Sequence, residues 1–399
     1  MIQRPLYIKQ LKKYRDVPIT KVLAGIRRCG KSTLLELLKS DLIESGVAED
    51  HIISLKYTSH VFSYGFDSKK MYEDIASRIK NNEKYYLLLD EVQEIENWEK
   101  VINSLQEDFN TDIYVTGSNS KLLGGEISTY LTGRYVSIPV FTLSFAEFLE
   151  FNKENSAKTR DELLSDYIKM GGFPILGHGS FDQPTAYKIV EDIYMSVVTR
   201  DIVQRNNITN FDLYNRVVKF IFENVGKTFS ANAIVKYLKS ESRSISVEAI
   251  YNYLDWLEKA FVIYRCQRYD LRGKAVLKTQ EKFYLADPAL KYCLMGFSST
   301  SISSMLENIV YLELLRRGYS VHIGKLETKE IDFVASRQND RIYVQVCRNM
   351  PENSDREISN LKELNDNYPK YVVTLDKLAC GNFEGINIVH LADFLLEDF

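Results

Sequence analysis

Residues 22–38, VLAGIRRCGKSTLLELL, consist of an apolar segment, a glycine-containing loop and a second apolar segment. The loop has the spacing Gly25-x-x-x-x-Gly30-Lys31-Ser32. Glycine is needed in such a loop because successive backbone N–H groups turn towards phosphate oxygens, where a Cβ would obstruct them. The segment before the loop predicts a buried strand, and the segment after it has the apolar spacing of a helix, whose N-terminus favours an anion. This order predicts an α/β domain of the P-loop type with a parallel sheet.

The loop and the first helical residues are the predicted nucleotide contacts. We expect Lys31 to reach the β- and γ-phosphates and the Ser32 hydroxyl to coordinate Mg²⁺. At this point the alternative is a glycine-containing turn between a strand and a helix that binds nothing. The predicted cofactor-binding residues are Gly25, Ile26, Arg27, Arg28, Cys29, Gly30, Lys31, Ser32 and Thr33.

A second predicted strand, KYYLLLDE at residues 84–91, ends in two acidic residues. This position places Asp90 where a Mg²⁺ ligand belongs and Glu91 where a carboxylate can polarise a water as the catalytic base. For Glu91, the alternative is a surface carboxylate at a strand end without a catalytic role. Together the two motifs predict binding of a nucleoside triphosphate, with Ser32 and Asp90 as the metal ligands.

Two further polar residues accompany predicted strands. The segment TDIYVTGS at 111–118 is followed by Asn119, whose amide could hydrogen-bond the γ-phosphate or the attacking water, or could only form a turn. Arg134 precedes another predicted strand and could stabilise phosphoryl charge in its own or a neighbouring subunit, or form a surface ion pair. We therefore count Asn119 and Arg134, together with Lys31 and Glu91, as candidate catalytic residues.

Several short motifs extend these observations over nearly the whole chain. They are Gly25–Ser32, DEVQ at 90–93, TGSN at 116–119, LTGR at 131–134, LSFAEF at 143–148, GGFP at 171–174 and RDI at 200–202. The set resembles the AAA-type ATPase family of bacteria and archaea whose members carry an uncharacterised C-terminal domain. The resemblance implies an ASCE-class P-loop core that binds ATP, with Asp90 and Glu91 in the magnesium and water roles. The family's physiological substrate is generally unassigned.

The sequence after an ATPase domain at 1–151 predicts three further modules. Residues 152–215 have a helical pattern with polar breaks and form a helical connector, and residues 216–295 predict three helices followed by a strand pair, the order of a winged helix. The candidate recognition helix, 245–260, carries acidic residues that would repel phosphate. We expect DNA contacts, if the module makes them instead of only packing on its neighbours, from the basic residues of the wing. These are Arg268, Arg272, Lys274 and Lys278.

Residues 296–399 predict the order helix, three strands, helix, strand, which resembles the restriction-endonuclease-like fold. Active members use Asp and then Glu-x-Lys on the next strand, where the acids hold Mg²⁺ and the lysine stabilises the nucleophile or the phosphate. Glu307 and Asp332 are present here, but the Glu-x-Lys positions are occupied by Gln345 and Cys347. Glutamine lacks the carboxylate that Mg²⁺ prefers, and cysteine lacks the charge and reach of lysine. We therefore predict a domain without nuclease activity that serves binding or assembly.

The composition predicts a folded, cytoplasmic protein of several domains. No apolar run approaches the length of a membrane span, and the N-terminal stretch lacks the apolar core of a signal peptide. The five cysteines have no Cys-x-x-Cys spacing, which argues against zinc sites and a disulfide framework. The net charge of −3 hides two basic stretches, residues 1–31 with nine Lys/Arg to one acid and residues 259–282 with seven to two. These stretches either face phosphates or are solvated surface.

Two classes of function follow from these patterns. The first is a Mg²⁺-dependent ATPase that couples hydrolysis to movement of its C-terminal modules, with DNA as a candidate partner. The second is an ATP-gated switch with negligible turnover that sets a conformation or an assembly. A homo-oligomer would follow if Arg134 acts in a neighbouring subunit.

Overall fold

The computed structural model of the chain describes residues 2–59, 67–119, 133–153, 157–179, 181–206, 208, 210–350 and 355–397. The chain divides into two compact units, Met1–Val140 with Lys259–Phe261 and Phe141–Glu258 with Val262–Phe399. The first unit thus ends before the predicted domain boundary at residue 151, because the segment after Val140 packs within the second unit. There Leu143 donates its backbone N–H to the Gly172 carbonyl at 2.7 Å. The division of the second unit into three modules stays a prediction.

The first unit is built on a parallel sheet of five strands in the order β2-β3-β4-β1-β5. Its strands are β1 (Thr20–Ala24), β2 (Ile52–Lys56), β3 (Tyr85–Asp90), β4 (Thr111–Gly117) and β5 (Tyr135–Pro139). Every residue of β1 and β3 is buried, as expected for parallel strands that are covered on both faces. Because β4 lies between β1 and β3, the carboxyl ends of all three strands meet at one edge of the sheet.

The helices of the first unit pack against the sheet. They are α1 (Pro5–Tyr14), α2 (Lys31–Glu44), α3 (Ser68–Arg78) and α4 (Trp98–Asp108). Met71 and Ile75 of α3 and Ile102 of α4 are fully buried in one apolar cluster with the sheet. Helix α3 begins after Asp67, whose carboxylate accepts the Lys70 N–H at 2.9 Å and so satisfies one free donor of the first turn.

The second unit combines helices with a mixed sheet. Its helices are α5 (Phe145–Asn152), α6 (Arg160–Met170), α7 (Gln183–Val197), α8 (Phe211–Glu223), α9 (Ala231–Ser240), α10 (Val247–Lys259), α11 (Ala289–Met295), α12 (Ile302–Arg316), α13 (Asp355–Lys362) and α14 (Leu391–Leu396). A π-helical turn, Val198–Val203, and a short helix, Gln204–Asn206, follow α7. Capping boxes that start with Ser144 and Thr159 fix where α5 and α6 begin.

The sheet of the second unit has the strand order β12-β13-β11-β10-β9-β8-β6-β7. The strands are β6 (Ile263–Asp270), β7 (Ala275–Leu285), β8 (Ser320–Leu326), β9 (Lys329–Arg337), β10 (Asp340–Cys347), β11 (Lys370–Thr374), β12 (Gly381–Phe383) and β13 (Ile386–His390). Strands β10, β11 and β13 run parallel, and their last residues, Cys347, Thr374 and His390, pair in register. Their carboxyl ends therefore lie side by side.

The predicted wing is part of this sheet. Its two strands, β6 and β7, form an antiparallel hairpin, but β6 also pairs in parallel with β8, from Arg268 opposite Ile323 to Asp270 opposite Lys325. Strands from two predicted modules thus share one set of backbone hydrogen bonds. In the described part of the chain, no helix combines the length and the apolar content that a bilayer crossing requires.

Candidate nucleotide-binding site

The loop between β1 and α2 depends on two glycines. A Cβ on Gly25 would lie 2.0 Å from the carbonyl oxygen of Val140, so only glycine fits at this point. Gly30, the N-cap of α2, has a φ of 101°, in the left-handed region that favours glycine. The first N–H groups of α2 have no acceptor within the helix and are the donors that this turn can offer to an anion.

Lys31 is the first residue of α2, and its side chain folds back into the loop that precedes the helix. Its side chain is buried, and Nζ donates to the carbonyl oxygens of Gly25 at 2.9 Å and Ile26 at 3.1 Å. The carboxylate of Glu91 is 3.9 Å away. The ammonium thus donates mainly to neutral carbonyl oxygens of its own loop. Phosphate oxygens could replace these acceptors, because a hydrogen bond to a charged oxygen is stronger than one to a neutral carbonyl.

Asp90, the last residue of β3, has one satisfied and one unsatisfied oxygen. The carboxylate is 5% exposed, and its Oδ1 accepts a hydrogen bond of 2.5 Å from the Thr116 hydroxyl. Its Oδ2 is buried without a hydrogen-bond partner among the described residues. Asp90 and Ser32 line one cavity of about 190 Å³. A carboxylate oxygen that lacks a partner beside a hydroxyl is the donor set of a hard divalent cation, so these residues fit Mg²⁺.

Glu91 is held in an uncommon conformation next to these groups. Its φ of 56° lies in the left-handed region that residues other than glycine seldom adopt. Its N–H donates to the Thr116 hydroxyl at 2.9 Å, and its Oε2 accepts from the amide of Gln93. The Thr116 hydroxyl therefore bridges Asp90, at the end of β3, and Glu91, which follows it, and Gln93 orients the carboxylate that can accept a proton from water.

Asn119 lies two residues beyond the end of β4 and is buried. Gly117, at the end of β4, pairs with Ala24 of β1, directly before the loop. Next to Asn119, Ser118 accepts a hydrogen bond of 3.5 Å from the amide of Gln93. The structure thus places Asn119 at the sheet edge that carries the loop and Asp90.

Arg134 does not lie at this edge. It directly precedes β5, its carbonyl accepts the N–H of Thr20 at the start of β1, and the loop follows the other end of β1. Its exposed guanidinium donates to Glu107 at 3.0 Å and Asn103 at 3.1 Å. The structure does not bring Arg134 together with the loop of its own chain, because the five residues of β1 separate the two, and a role in its own subunit stays a prediction. The surface ion pair is present, and a role in a neighbouring subunit stays a prediction.

Three contributors were not identified from the sequence. Thr116 and Gln93 occur in the quoted motifs, but their contacts with the acids depend on the order of the strands. Arg4 is buried before α1 and donates from Nη1 to the carbonyl oxygen of Cys29 at 2.9 Å. Its guanidinium lies 4.4 Å from the ring centre of Tyr7. The basic character of residues 1–31 was the only signal for Arg4, and it does not distinguish Arg4 from its neighbours.

A buried lysine lies among the acids of the second unit. Lys282 of β7 donates to Glu330 at 2.7 Å and to Glu307 at 3.1 Å, and the Tyr284 hydroxyl also donates to Glu307, at 2.5 Å. Burial lowers the pKa of the Lys282 ammonium, but Glu307, Asp332 and Glu330 outweigh this effect and raise the pKa above its ordinary value. The Gln345-x-Cys347 pattern does not reveal this lysine, because a strand distant in sequence supplies it.

Asp332 and Gln345 are neighbours in this cluster. Asp332 accepts the Val346 N–H at 2.8 Å, and its own N–H donates to the Gln345 side chain at 3.3 Å. Cys347 lies at the end of β10, with its Sγ 3.6 Å from the sulfur of Met350. Among the residues that the structure describes, no three His, Cys, Asp or Glu side chains are arranged to hold a metal ion.

The predicted DNA-contacting residues differ in their accessibility. Arg268 is largely buried, donates to Gln280 and lies 4.0 Å from Glu330, so it is not presented to a ligand. Arg272 is exposed and paired with Glu327, and Lys274 is exposed in the turn of the hairpin. The side chain of Lys278 is outside the described part of the chain.

Comparison with protein families and curated proteins gives two matched regions and several relatives. Residues 18–149 match the AAA domain, and residues 161–301 match a domain of unknown function (DUF8612). An uncharacterized protein of Haemophilus influenzae is 39% identical over 399 residues, which is 100% of this chain and 99% of the relative. An uncharacterized protein of Methanocaldococcus jannaschii is 30% identical over 351 residues, 85% of this chain and 77% of the relative.

Among solved structures, the Walker-type ATPase of Pyrococcus abyssi is similar, with a TM-score of 0.52. It is 16% identical, and the alignment covers 74% of this chain and 96% of that one. At this identity the likeness concerns the fold, and it agrees with the parallel five-stranded sheet of the first unit.

Proposed function

The chain belongs to the AAA-domain family of these Haemophilus and Methanocaldococcus relatives, and we propose on this basis that it binds ATP with Mg²⁺ and hydrolyses it. The observation that carries the proposal is the buried Oδ2 of Asp90, which lacks a partner among the described residues, on a residue that lines one cavity with Ser32. An unsatisfied carboxylate oxygen costs stability unless a ligand completes it.

In the proposed reaction each residue of the site has one role. The loop N–H groups and Lys31 bind the phosphates, and this frees the carbonyls of Gly25 and Ile26 from Lys31. Ser32 and Asp90 would hold Mg²⁺, which supplies neutralisation of the developing negative charge. Glu91, oriented by Gln93 and by the Thr116 hydroxyl, accepts a proton from the attacking water, and Asn119 hydrogen-bonds that water or the γ-phosphate.

Phosphate release by the purified protein tests this proposal. Lys31→Ala and Glu91→Gln should each lower the rate at least about 100-fold, because each removes a group that acts in the transition state. Glu91→Gln should retain nucleotide binding, whereas Lys31→Ala should weaken it. Lys39→Ala is the matched control, since Lys39 lies on the same helix but pairs with Glu49 on the surface. Equal rates of phosphate release in the unchanged chain and the three variants would refute the proposal.

We further propose that nucleotide binding changes the assembly of the chain, as in the switch hypothesis. The support is the position of Arg134, which lies beside the start of β1, at the opposite end of that strand from the loop of its own chain. The mass in solution, measured with and without ATP for the Glu91→Gln variant, tests this role. No change in mass, or a change that Arg134→Ala leaves intact, would contradict it.

We propose DNA as a secondary partner through the turn between β6 and β7, where Arg272 and Lys274 are exposed. Because only these two basic residues are proposed as contacts, their contribution to DNA affinity should be modest, and it should fall steeply as the salt concentration rises. The ATPase rate measured with duplex DNA at low and high salt checks it, and a DNA effect that Lys274→Ala does not change would contradict this surface.

We also propose that the last module retains a restriction-endonuclease-like arrangement without its chemistry. The support is the ammonium of Lys282, which occupies the space between Glu307 and Glu330 and already compensates these acids. Plasmid cleavage with Mg²⁺ or Mn²⁺ that is lost in Asp332→Ala would refute this interpretation.

A further inference from the structure

We propose that a cavity at the carboxyl ends of β10, β11 and β13 binds a small organic anion with a flat apolar body. The cavity has a volume of about 780 Å³ and lies entirely within the second unit. This volume is within the range of roughly 300–1,000 Å³ that small-molecule sites occupy. The site is separate from the P-loop and from the Lys282 cluster.

The topology of the sheet supports a ligand site at this place. Asn349 and Met350 follow β10, Leu375 follows β11, and His390 ends β13, and all four line the cavity. These three strands are parallel and their ends are in register. In α/β sheets, ligands bind in the crevice outside the carboxyl ends of such strands, because the loops that follow them converge there.

Helix α6 supplies the opposite wall of the cavity. Its contribution is a single face with the helical spacing i, i+3, i+4, i+7, i+8. The residues of this face are Asp161, Leu164, Ser165, Ile168 and Lys169. The wall is therefore apolar in its middle and charged at both ends.

The acids at the cavity are already engaged. Asp161 accepts a hydrogen bond of 2.5 Å from the Lys377 ammonium, and Asp376 accepts the Leu378 N–H at 3.0 Å. Lys169 differs, since none of the described carboxylates lies within ion-pair distance of it. Its Nζ lies 5.7 Å from the ring centre of Phe297, which also lines the cavity. The lysine thus adds to the lining a positive charge that none of the described carboxylates pairs with directly.

His390 offers a second donor. Its side chain is 5% exposed, and its Nδ1 accepts the Ala392 N–H at 3.3 Å at the start of α14. Burial lowers the pKa of His390, so the ring is neutral near pH 7, and with Nδ1 as an acceptor its proton is on Nε2. Within the described part of the chain, Nε2 has no hydrogen-bond acceptor.

These groups define the chemistry of the ligand. The Lys169 ammonium and the His390 N–H can bind a carboxylate, sulfonate or phosphate, and the Phe297 ring with Met350 and Ile168 can cover a flat apolar body. A cation would meet the Lys169 ammonium, which none of the described carboxylates pairs with, and a fully polar ligand would leave the apolar wall uncovered. A flat organic anion satisfies both parts of the cavity.

Two fluorescent probes test the proposal with the full chain. The first is 8-anilinonaphthalene-1-sulfonate, a flat anion, and the second is N-phenyl-1-naphthylamine, the same aromatic body without the sulfonate. Lys169→Gln should weaken binding of the anion about tenfold and leave the neutral probe unchanged, because it removes one charge-assisted contact. Lys188→Gln, which changes an exposed lysine of α7 outside the cavity, should leave both affinities unchanged.

Ser165→Trp provides a second variant, because the indole should fill the cavity and abolish binding of both probes. ATP turnover and the unfolding temperature of each variant report whether it is folded. The proposal fails if Lys169→Gln binds the sulfonate as tightly as the unchanged chain, or if folded Ser165→Trp binds both probes normally. Because Lys169 is on the surface of α6, its variant decides the question even if Ser165→Trp does not fold.

Discussion

The hydroxyl of Thr116 donates a hydrogen bond of 2.5 Å to the carboxylate of Asp90. The same hydroxyl accepts the backbone N–H of Glu91, so one side chain of β4 fixes the last residue of β3 and the acid that follows it. The two acids therefore keep their relative orientation through a residue on the neighbouring strand.

Thr116→Val should lower kcat for ATP about tenfold or more, the usual cost of removing a group that orients a metal ligand. The valine keeps the shape of the side chain but leaves Asp90 without its donor. Thr116→Ser retains the hydroxyl and should keep most of the activity. Steady-state phosphate release measures both variants, and equal loss in Val and Ser would show that the methyl group, not the hydroxyl, matters.

Arg4→Met should raise the KM for ATP about tenfold with a smaller effect on kcat. The methionine can still cover Tyr7 but cannot donate to the Cys29 carbonyl, so the phosphate-binding loop loses a buried, charge-assisted contact. Arg4→Lys restores a donor and should recover part of the affinity. A fall in kcat alone, at unchanged KM, would contradict a role in holding the loop.

Lys282→Met should destabilise the second unit by about 3 kcal/mol, because it leaves Glu307, whose side chain is 15% exposed, without its ion-pair partner. Glu330 is one-third exposed and should contribute less. Chemical denaturation measures the change. Lys329→Met is the control, since its pair with Glu363 is exposed and should be worth less than about 1 kcal/mol. A similar loss of unfolding free energy in the two variants would contradict a larger contribution from the Lys282 cluster.

Stability of the second unit should fall as the pH rises through about 6. Burial raises the pKa of Asp287 to about 6, although the N–H groups of Gly172 and Ala289, Thr142 and the Arg316 charge act in the opposite direction. A raised folded-state pKa stabilises the fold fully below the ordinary pKa of an aspartate, near 4, and this contribution is lost between about pH 4 and 6. The loss should amount to about 3 kcal/mol, from the size of the shift.

Denaturation of the unchanged chain and of Asp287→Asn across pH 4–7 measures this effect. The amide cannot accept both N–H groups, so the variant should be less stable throughout, but it should lack the fall between pH 4 and 6. Asp161→Asn is the control, because the Lys377 hydrogen bond lowers the pKa of Asp161 and its contribution changes only below about pH 4. Parallel pH profiles for the unchanged chain and Asp287→Asn would contradict the assignment.

The P-loop and the acidic strand could be predicted because each is a local pattern. Gly25 and Gly30 are identified by their spacing within one strand–loop–helix segment. Asp90 is identified by its position at the end of one apolar strand. A strand pair after residue 262 was also predictable from its own alternation and turn, although the second strand begins at Ala275, inside the predicted turn of residues 271–278. These are properties that a window of about ten residues contains.

The remaining contacts depend on which distant segments become neighbours. Thr116 reaches Asp90 only because β4 inserts beside β3, and Lys282 reaches Glu307 only because β7 joins the sheet that α12 covers. Arg134 looked like a candidate for its own nucleotide because the sequence does not state at which end of the sheet it lies. The register of β5 with β1 supplies that information.

The pairing of β6 with β8 bears on how this chain could have been assembled in evolution. A recombination event that exchanged only the last hundred residues would remove β8 and leave β6 with an open backbone edge, the kind of surface that promotes aggregation. The hairpin and the strands after residue 320 should therefore be inherited together, even though the DUF8612 match stops at residue 301 between them.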